Sequence, residues 1–234
     1  MSCKSTCVHC LDCYKRPMSL EERVRQELVH GCQRLYGRNM LAAADGNLSF
    51  RLSDDRILIT PSGVAKAFLS ASEMAVMNLD GEVLQGSPSG ERLMHLEVYR
   101  RCDKAKAVVH AHPPTAIAWS VARPELKELP NEALSEVILA AGSIPIVPYS
   151  RPSTQAMGDS LRPFLPQSRL MILSRHGGLS WGESLDEALG GMERLEHVAH
   201  ILWLAEGLGG LTSLPPQEVE ALWQMRRQMG DKTL

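Results

Sequence analysis

Apolar residues first recur at helical spacing. Leu20, Val24, Leu28, Cys32 and Leu35 fall three or four apart behind Ser19 and Glu22, the Ser-x-x-Glu pattern that closes a helix N-terminus. That run stops at Gly37-Arg38-Asn39. The period then changes to two. Leu48, Phe50 and Leu52 alternate with Ser49 and Arg51, a half-buried strand entered through Gly46-Asn47. Asp54-Asp55 turns the chain into Ile57-Leu58-Ile59-Thr60, a second strand that runs into Pro61-Ser62-Gly63. An Asp80-Gly81 turn separates two short strand-like pieces. Ser87-Pro88-Ser89-Gly90 then leads into a helix over 91–101 that carries Leu93, Met94, Val98 and Tyr99.

Val108-Val109-His110-Ala111-His112 reads as a strand halted by Pro113-Pro114, which remove ladder donors. Helices are expected over 115–121, 134–141 and 154–165, and an extended edge segment from Ile144 to Tyr149, whose prolines suit an edge. Leu170 to Leu173 reads as a buried strand ending at Ser174-Arg175-His176-Gly177-Gly178, with the glycines read as flexible. Ser184 with Glu187 repeats the Ser-x-x-Glu signal and opens a long helix bearing Leu185, Leu189, Met192, Leu195, Val198, Ala199 and Leu202. His197 and His200 lie on it with no carboxylate partner motif and read as structural or solvated. A last amphipathic helix covers about 217–229. Strands alternating with helices say α/β, as one domain over 19–234 behind an N-terminal extension over 1–18.

Composition changes this picture little. The 234 residues are 44% apolar and 22% charged with a net charge of −2, ordinary for a globular protein. No bulk charge points to nucleic acid or a membrane, and no apolar run reaches spanning length or forms a signal-peptide core. A cytoplasmic setting is the default expectation. Cysteine usage is the exception. Cys3, Cys7, Cys10 and Cys13 crowd the N-terminus around His9, either a second metal site or a tail of redox-prone thiols. Cys32 and Cys102 stand alone and read as small buried residues.

Candidate chemistry gathers at the histidines. Side chains two apart on a strand share a face, so His110 and His112 leave the sheet together. With His176 and Glu91, also near element ends, they make a ligand set suited to zinc or another divalent ion. A Lewis acid beside a carboxylate base suits chemistry at the carbon next to a carbonyl. Small-residue loops ahead of helices expose N–H groups that bind phosphate without a large positive charge, which suggests a sugar-phosphate substrate.

Gly46-Asn47-Leu48-Ser49, Ile59-Thr60-Pro61-Ser62-Gly63, Pro88-Ser89-Gly90-Glu91, Val109-His110-Ala111-His112 and Arg175-His176-Gly177 follow one another in an order that resembles the class II aldolase/adducin family. The resemblance runs from about Ser19 to the end of the final helix and looks closest to the fuculose-1-phosphate aldolase branch. It implies a central, mostly antiparallel sheet flanked by helices, and a homotetramer with active sites at subunit interfaces. It implies zinc, or manganese, cobalt or iron, on His110, His112 and His176 beside Glu91, with Glu91 as the catalytic acid–base. It also implies phosphate binding at Gly46, Asn47, Ser62, Gly63, Ser89 and Gly90.

The reaction so implied is retro-aldol cleavage of a ketose 1-phosphate to dihydroxyacetone phosphate and an aldehyde, the work of an aldehyde-lyase. Fuculose, deoxypentulose and methylthiopentulose 1-phosphates are the expected substrates. Dehydration of a methylthioribulose 1-phosphate and decarboxylation of a phosphotetronate are alternatives on the same fold. An adducin-like interaction module is disfavoured because all three histidines and Glu91 are present. Departures fall on both sides of the substrate. Gly90 stands where the branch has serine, which keeps the backbone N–H but loses one hydroxyl donor. On the aldehyde side Leu134 stands where the branch has an interface tyrosine, and no tyrosine follows Tyr149. His95, one turn after Glu91, either orients it or is a surface histidine.

Overall fold

The structure is a computed structural model that describes residues 17–230, so the cysteine quartet lies outside the described residues. The Ser19 hydroxyl accepts from the Glu22 N–H at 3.2 Å and the Glu22 carboxylate accepts from the Ser19 N–H at 2.7 Å. This closed capping box starts helix α1, Leu20–Gly37, which buries Val24, Leu28, Cys32 and Leu35, the stripe expected from its spacing. Strands β1 (Asn47–Ser53), β2 (Arg56–Ile59), β3 (Ala75–Met77) and β4 (Val83–Gln85) follow, then α2 (Arg92–Arg101). After it come β5 (Ala107–Ala111), α3 (Pro114–Ala122), β6 (Ile146–Val147), α4 (Gln155–Asp159), β7 (Leu170–Leu173) and β8 (Gly177–Gly182). Helices α5 (Leu185–Gly207) and α6 (Pro216–Met229) complete the described chain.

The strands form an eight-stranded sheet in the order β4-β3-β2-β1-β5-β8-β7-β6. Pairing is antiparallel throughout except between β6 and β7, which run parallel. The mixed α/β architecture and mostly antiparallel sheet match the sequence reading. Helices cover both faces. Met94, Leu96, Val98 and Tyr99 of α2, with Met157 and Leu161 at α4, pack on Ile57, Ile59, Met77, Val108, Met171 and Leu179. On the other face α1 and α5 pack on Leu48, Leu58, Val76 and Val109, and α3 joins the second half of α5 over Leu170 and Ile172. Each fully buried Leu or Ile contributes roughly 1.5–3 kcal/mol, so both faces of the central strands are held.

Three segments depart from the expected pattern. Strand β8 lies inside the sheet, where the sequence reading places no strand and takes Gly177 and Gly178 as flexible. Its glycines answer to close packing: a Cβ on Gly178 would meet Met192 Sδ at 3.0 Å and Pro113 Cγ at 3.1 Å. The helix expected over 154–165 breaks after α4, with only a tight turn at Arg162–Phe164, because Pro163 supplies no N–H. The helix expected over 134–141 is a single wide turn at Val137–Ala141, closed by Gly142 N–H on the Val137 carbonyl at 2.8 Å.

Candidate metal centre and its acid–base partner

Strand register builds the floor of the site. Asn47 of β1 pairs with His110 of β5, and Ser49 pairs with Val108. Cross-strand partners share a face, and Val108 lies in the core under α2, so Asn47, Ser49 and His110 all turn toward α2. His112 follows two residues later, its N–H tied to the Met40 carbonyl at 2.8 Å. The chain then enters α3, whose first N–H groups have no partner within the helix. Glu196 of α5 supplies one: its carboxylate accepts from the N–H of Thr115 at 3.0 Å and of Ala116 at 3.1 Å, and from the Thr115 hydroxyl at 2.6 Å. The end of β5 is thereby fixed from both sides.

The third histidine arrives on the hairpin between β7 and β8. Arg175 takes a left-handed conformation, φ 58°, and donates its N–H to the Ser120 hydroxyl at 2.8 Å. That three-residue loop, 174–176, turns His176 back over β5. His110, His112 and His176 each offer a ring nitrogen within 4.8 Å of the others. His110 Nε2 and His176 Nε2 are 3.1 Å apart.

The donor set fits a divalent cation. His110 gives its Nδ1–H to the Gly178 carbonyl at 2.8 Å, which leaves Nε2 unprotonated toward the centre. His112 Nε2 is buried with no hydrogen-bond partner among the described residues, while its Nδ1 lies 3.5 Å from Asp45. An orphaned buried imidazole nitrogen is what a bound ion satisfies. Burial, then the neighbouring His110 and His176, push His112 down to about 4, so it is neutral and able to ligate. Two nitrogens on one zinc, each about 2.0–2.1 Å from it, stand about 3.3 Å apart, close to the 3.1 Å between His110 Nε2 and His176 Nε2.

Glu91, at the N-terminal edge of α2, faces this cluster. One carboxylate oxygen, Oε2, is 3.2 Å from His110 Nε2, and Oε1 is 3.1 Å from His176 Nε2. Burial opposes its ionisation; hydrogen bonds and charge from His110 and His176 hold the carboxyl below the usual carboxylate range only while those ring nitrogens carry hydrogen, and nitrogens that ligate an ion carry none. Asn47 Nδ2 donates to Glu91 Oε2 at 2.9 Å, and Asn47 Oδ1 meets His95 Nε2 at 2.5 Å. Thus His95 is no surface histidine. It is fully buried, burial lowers it to about 3, and its reach toward Glu91 passes through Asn47.

The six residues singled out for phosphate binding split by access: Gly46, Asn47 and Ser89 are buried, whereas Ser62, Gly63 and Gly90 are at least partly open. Asn47 is buried and its side-chain amide is committed to Glu91 and His95. The loops holding Ser62-Gly63 and Ser89-Gly90 lie side by side, joined by a Pro61–Pro88 bridge, by Ser62 N–H on the Ser87 carbonyl at 3.0 Å and by Ser89 N–H on the Thr60 carbonyl at 3.1 Å. Ser62 and Gly63 are exposed and Gly90 is half-buried, so a ligand can reach them. Gly46, φ 72°, lies against β5, where a Cβ would come within 2.9 Å of the His110 carbonyl.

Sequence reasoning missed Lys66. Its Nζ is buried and donates to the carbonyls of Ala44 at 2.9 Å and Val64 at 2.8 Å, cross-linking the loops before β1 and after β2. Burial lowers its pKa, partly offset by Cys32, Asp45 and Glu91. A lone lysine inside Val64-Ala65-Lys66-Ala67-Phe68-Leu69 is the signal that was there to find. Cys32 and Cys102 are buried as expected, and burial pushes both thiols up to about 12. His200 stacks beside Trp203 on α5, with ring centroids 5.4 Å apart, and takes no part in the centre.

The chain is also similar to known proteins. The profile of the class II aldolase and adducin N-terminal domain matches residues 26–203. The chain is 32% identical over 191 residues to 3-oxo-tetronate 4-phosphate decarboxylase of Escherichia coli K12, covering 79% of this chain and 88% of that protein. It is 30% identical over 182 residues to L-fuculose phosphate aldolase of Methanococcus maripaludis, covering 78% of this chain and 97% of the other. Among solved structures, YgbL of Escherichia coli superimposes with a TM-score of 0.82 at 30% identity, over 88% of this chain and 100% of that one.

Proposed function

The chain belongs to the class II aldolase and adducin family, and from that premise we propose that it is a metal-dependent enzyme that breaks a carbon–carbon bond beside the carbonyl of a phosphorylated sugar-type substrate. One observation carries the reading: three imidazole nitrogens converge within 4.8 Å, with Glu91 set 3.1–3.2 Å from two of them. A divalent ion held by His110, His112 and His176, zinc or else manganese, cobalt or iron, supplies the Lewis acid for the electron pair left when the bond breaks. Glu91 moves the proton at that carbon, within reach of the same centre. The Ser62-Gly63 and Ser89-Gly90 loops, with Gly46, receive the phosphate.

Decarboxylation of a 3-oxo acid phosphate is the form this site suits most directly. With 3-oxo-tetronate 4-phosphate, the bond to the carboxylate breaks, carbon dioxide leaves, and the electron pair stays on the carbon next to the ketone. Glu91 then protonates that carbon, which yields dihydroxyacetone phosphate. This needs one electron sink and one proton donor, the two things the triad and Glu91 supply. The decarboxylase relative supports it.

Retro-aldol cleavage of a fuculose or 5-deoxy- or methylthio-pentulose 1-phosphate is the second form, supported by the aldolase relative. It gives the same dihydroxyacetone phosphate but also needs a base for the hydroxyl of the departing aldehyde. Assembly as a homotetramer belongs to this reading; exposed Val121 on α3 and Trp203 and Leu204 on α5 offer apolar surface for it. Among the described residues no helix is long and apolar enough to cross a membrane.

Zinc-loaded protein incubated with 3-oxo-tetronate 4-phosphate and a panel of ketose 1-phosphates tests the proposal. Dihydroxyacetone phosphate should form, with carbon dioxide or an aldehyde as the co-product that separates the two forms. A dehydrated sugar phosphate instead would identify a dehydratase. No product from any substrate would overturn the reading, and a metal-free His110→Ala variant with full biological function would point to an interaction module.

A further inference from the structure

His95, Ser49 and Tyr99 are each no more than 1% exposed and reach Glu91 only through Asn47 among the described hydrogen bonds. They form one line of hydrogen bonds: Tyr99 Oη to Ser49 Oγ at 2.8 Å, Ser49 Oγ to His95 Nδ1 at 2.6 Å, His95 Nε2 to Asn47 Oδ1 at 2.5 Å, and Asn47 Nδ2 to Glu91 Oε2 at 2.9 Å. Chemistry fixes the direction of every link. A carboxylate oxygen only accepts, so the Asn47 amide must present its N–H groups to Glu91 and its carbonyl to His95. That carbonyl also only accepts, so His95 carries its hydrogen on Nε2. A neutral imidazole has a single N–H, so Nδ1 accepts from the Ser49 hydroxyl, which is then free to accept from Tyr99. All four hydrogen bonds point toward Glu91, and water does not reach any of the three residues behind it to offer an alternative.

We propose that His95 is a positioning residue that, through Asn47, keeps Glu91 Oε2 as the accepting oxygen and so places the transferable proton on Oε1. The inference rests on the acid–base role given to Glu91 above. With Oε2 engaged by the Asn47 N–H, the carboxyl is held at one rotation, and Oε1 is the oxygen turned toward His176, 3.1 Å from its Nε2. In the step itself the proton leaves Oε1 for the substrate carbon, Glu91 remains as carboxylate, and solvent restores the proton. Asn47 and His95 neither gain nor lose one. At Tyr99 the line meets the backbone of Val108, and Arg51 lies over the ring at 4.9 Å from its centroid, so the chain is anchored in the core of the sheet.

Two measurements decide it. The first is the tautomer of His95 in the full chain with and without zinc, from two-bond nitrogen–proton NMR correlations. Nε2–H alone is expected, and Nδ1–H would overturn the proposal. The second compares His95→Gln with His95→Leu. Glutamine can still donate to Asn47 and accept from Ser49, whereas leucine can do neither at a similar volume. The readout is exchange of one hydroxymethyl proton of dihydroxyacetone phosphate with deuterated water, the step assigned to Glu91. His95→Leu should lose roughly ten- to a hundredfold in exchange rate, as small misplacements of a reacting group do, with KM and bound zinc unchanged. His95→Gln should stay within about threefold of the wild type. Equal losses in both variants, or full exchange in His95→Leu, would overturn the positioning role alone. A wild-type protein that neither exchanges nor cleaves would remove the role of Glu91 and this inference with it.

Discussion

A single methyl group at Gly177 would strike the metal centre from beneath. Gly177 opens β8, and a Cβ there would lie 2.6 Å from the Ala111 carbonyl oxygen, 2.7 Å from His110 Cε1 and 3.0 Å from His112 Cδ2. Ordinary carbon–carbon and carbon–oxygen contacts need about 3.5 Å, so two ligand rings and one main-chain group must each retreat by roughly 0.5–0.9 Å. Ala111 is paired with Gly178 in the ladder and cannot move alone. The rings must yield, yet metal ligand distances tolerate only about ±0.2 Å. Gly177→Ala is therefore expected to weaken zinc binding about ten- to a hundredfold, or about 1.4–2.8 kcal/mol. Overpacking should cost the metal-free fold a further ~1–3 kcal/mol, and about 2–4 °C in Tm for each kcal/mol at this chain length. Chelator competition gives the zinc affinity and thermal melts of the metal-free protein give the fold. Gly190→Ala, where a Cβ meets nothing within 4 Å, serves as the control and should bind zinc as the wild type does. A folded Gly177→Ala protein with wild-type zinc affinity would refute the claim that this close approach sets the ligand geometry.

Removing the metal with a chelator should lower Tm, since zinc at a hundred times its Kd stabilises the native state by about 2.7 kcal/mol, and the shift should vanish in His112→Ala. Glu196→Ala removes the cap on α3 and should cost about 1–2 kcal/mol in denaturant unfolding while leaving zinc stoichiometry at the wild-type value; a change under a few tenths would mean water replaces the cap. Glu97, buried, accepts from Arg162 at 2.7 Å and also from Arg101; burial works against its ionisation, but these partners outweigh it and depress its pKa from the ordinary 4.5. A depressed carboxylate stabilises the fold above its unfolded pKa and loses that contribution as pH falls through its folded one. Glu97→Gln should thus cost roughly 1–2 kcal/mol at neutral pH, modest because both arginines are nearly half exposed, and the gap should close on acidification below about pH 4.5. A gap constant with pH would show that packing, and not charge, sets the effect.

Much of this was legible along the chain because amphipathic periods report burial directly. Val24 to Leu35 and Leu185 to Leu202 each carry an apolar stripe that the core uses, with Leu20 left exposed. Strand β1 instead buries Ser49 and Arg51 with Leu48 and leaves Phe50 and Leu52 partly buried, because helices cover both faces of the sheet. His110 and His112 were legible for a related reason, since a period of two puts them on one face. Strand β8 was not, because its residues were set by what approaches them: α5, Pro113 and two ligand rings require glycine, and glycine carries no pattern. His176 gained meaning only from its order among other motifs. Asn47 and Lys66 were misjudged or passed over because their roles depend on contacts 44 and 22 residues away in sequence, to Glu91 and to the Ala44 carbonyl. Local spacing holds no record of such pairs.

Strand β1 sits between β2 and β5, and the two halves of the centre lie on either side of it. The triad belongs to β5 and the β7–β8 hairpin, whereas Glu91 and the Ser62-Gly63 and Ser89-Gly90 loops belong to the β2–β4 side, with Asn47 of β1 spanning the gap. Loosening of the β1–β5 seam would separate acid from metal without dismantling either half. A partly denatured population should then retain zinc and most of its helix while turning over nothing. On the proposed function, inactivation in mild urea would precede metal release, which would make loss of the metal a late marker of damage and loss of turnover an early one.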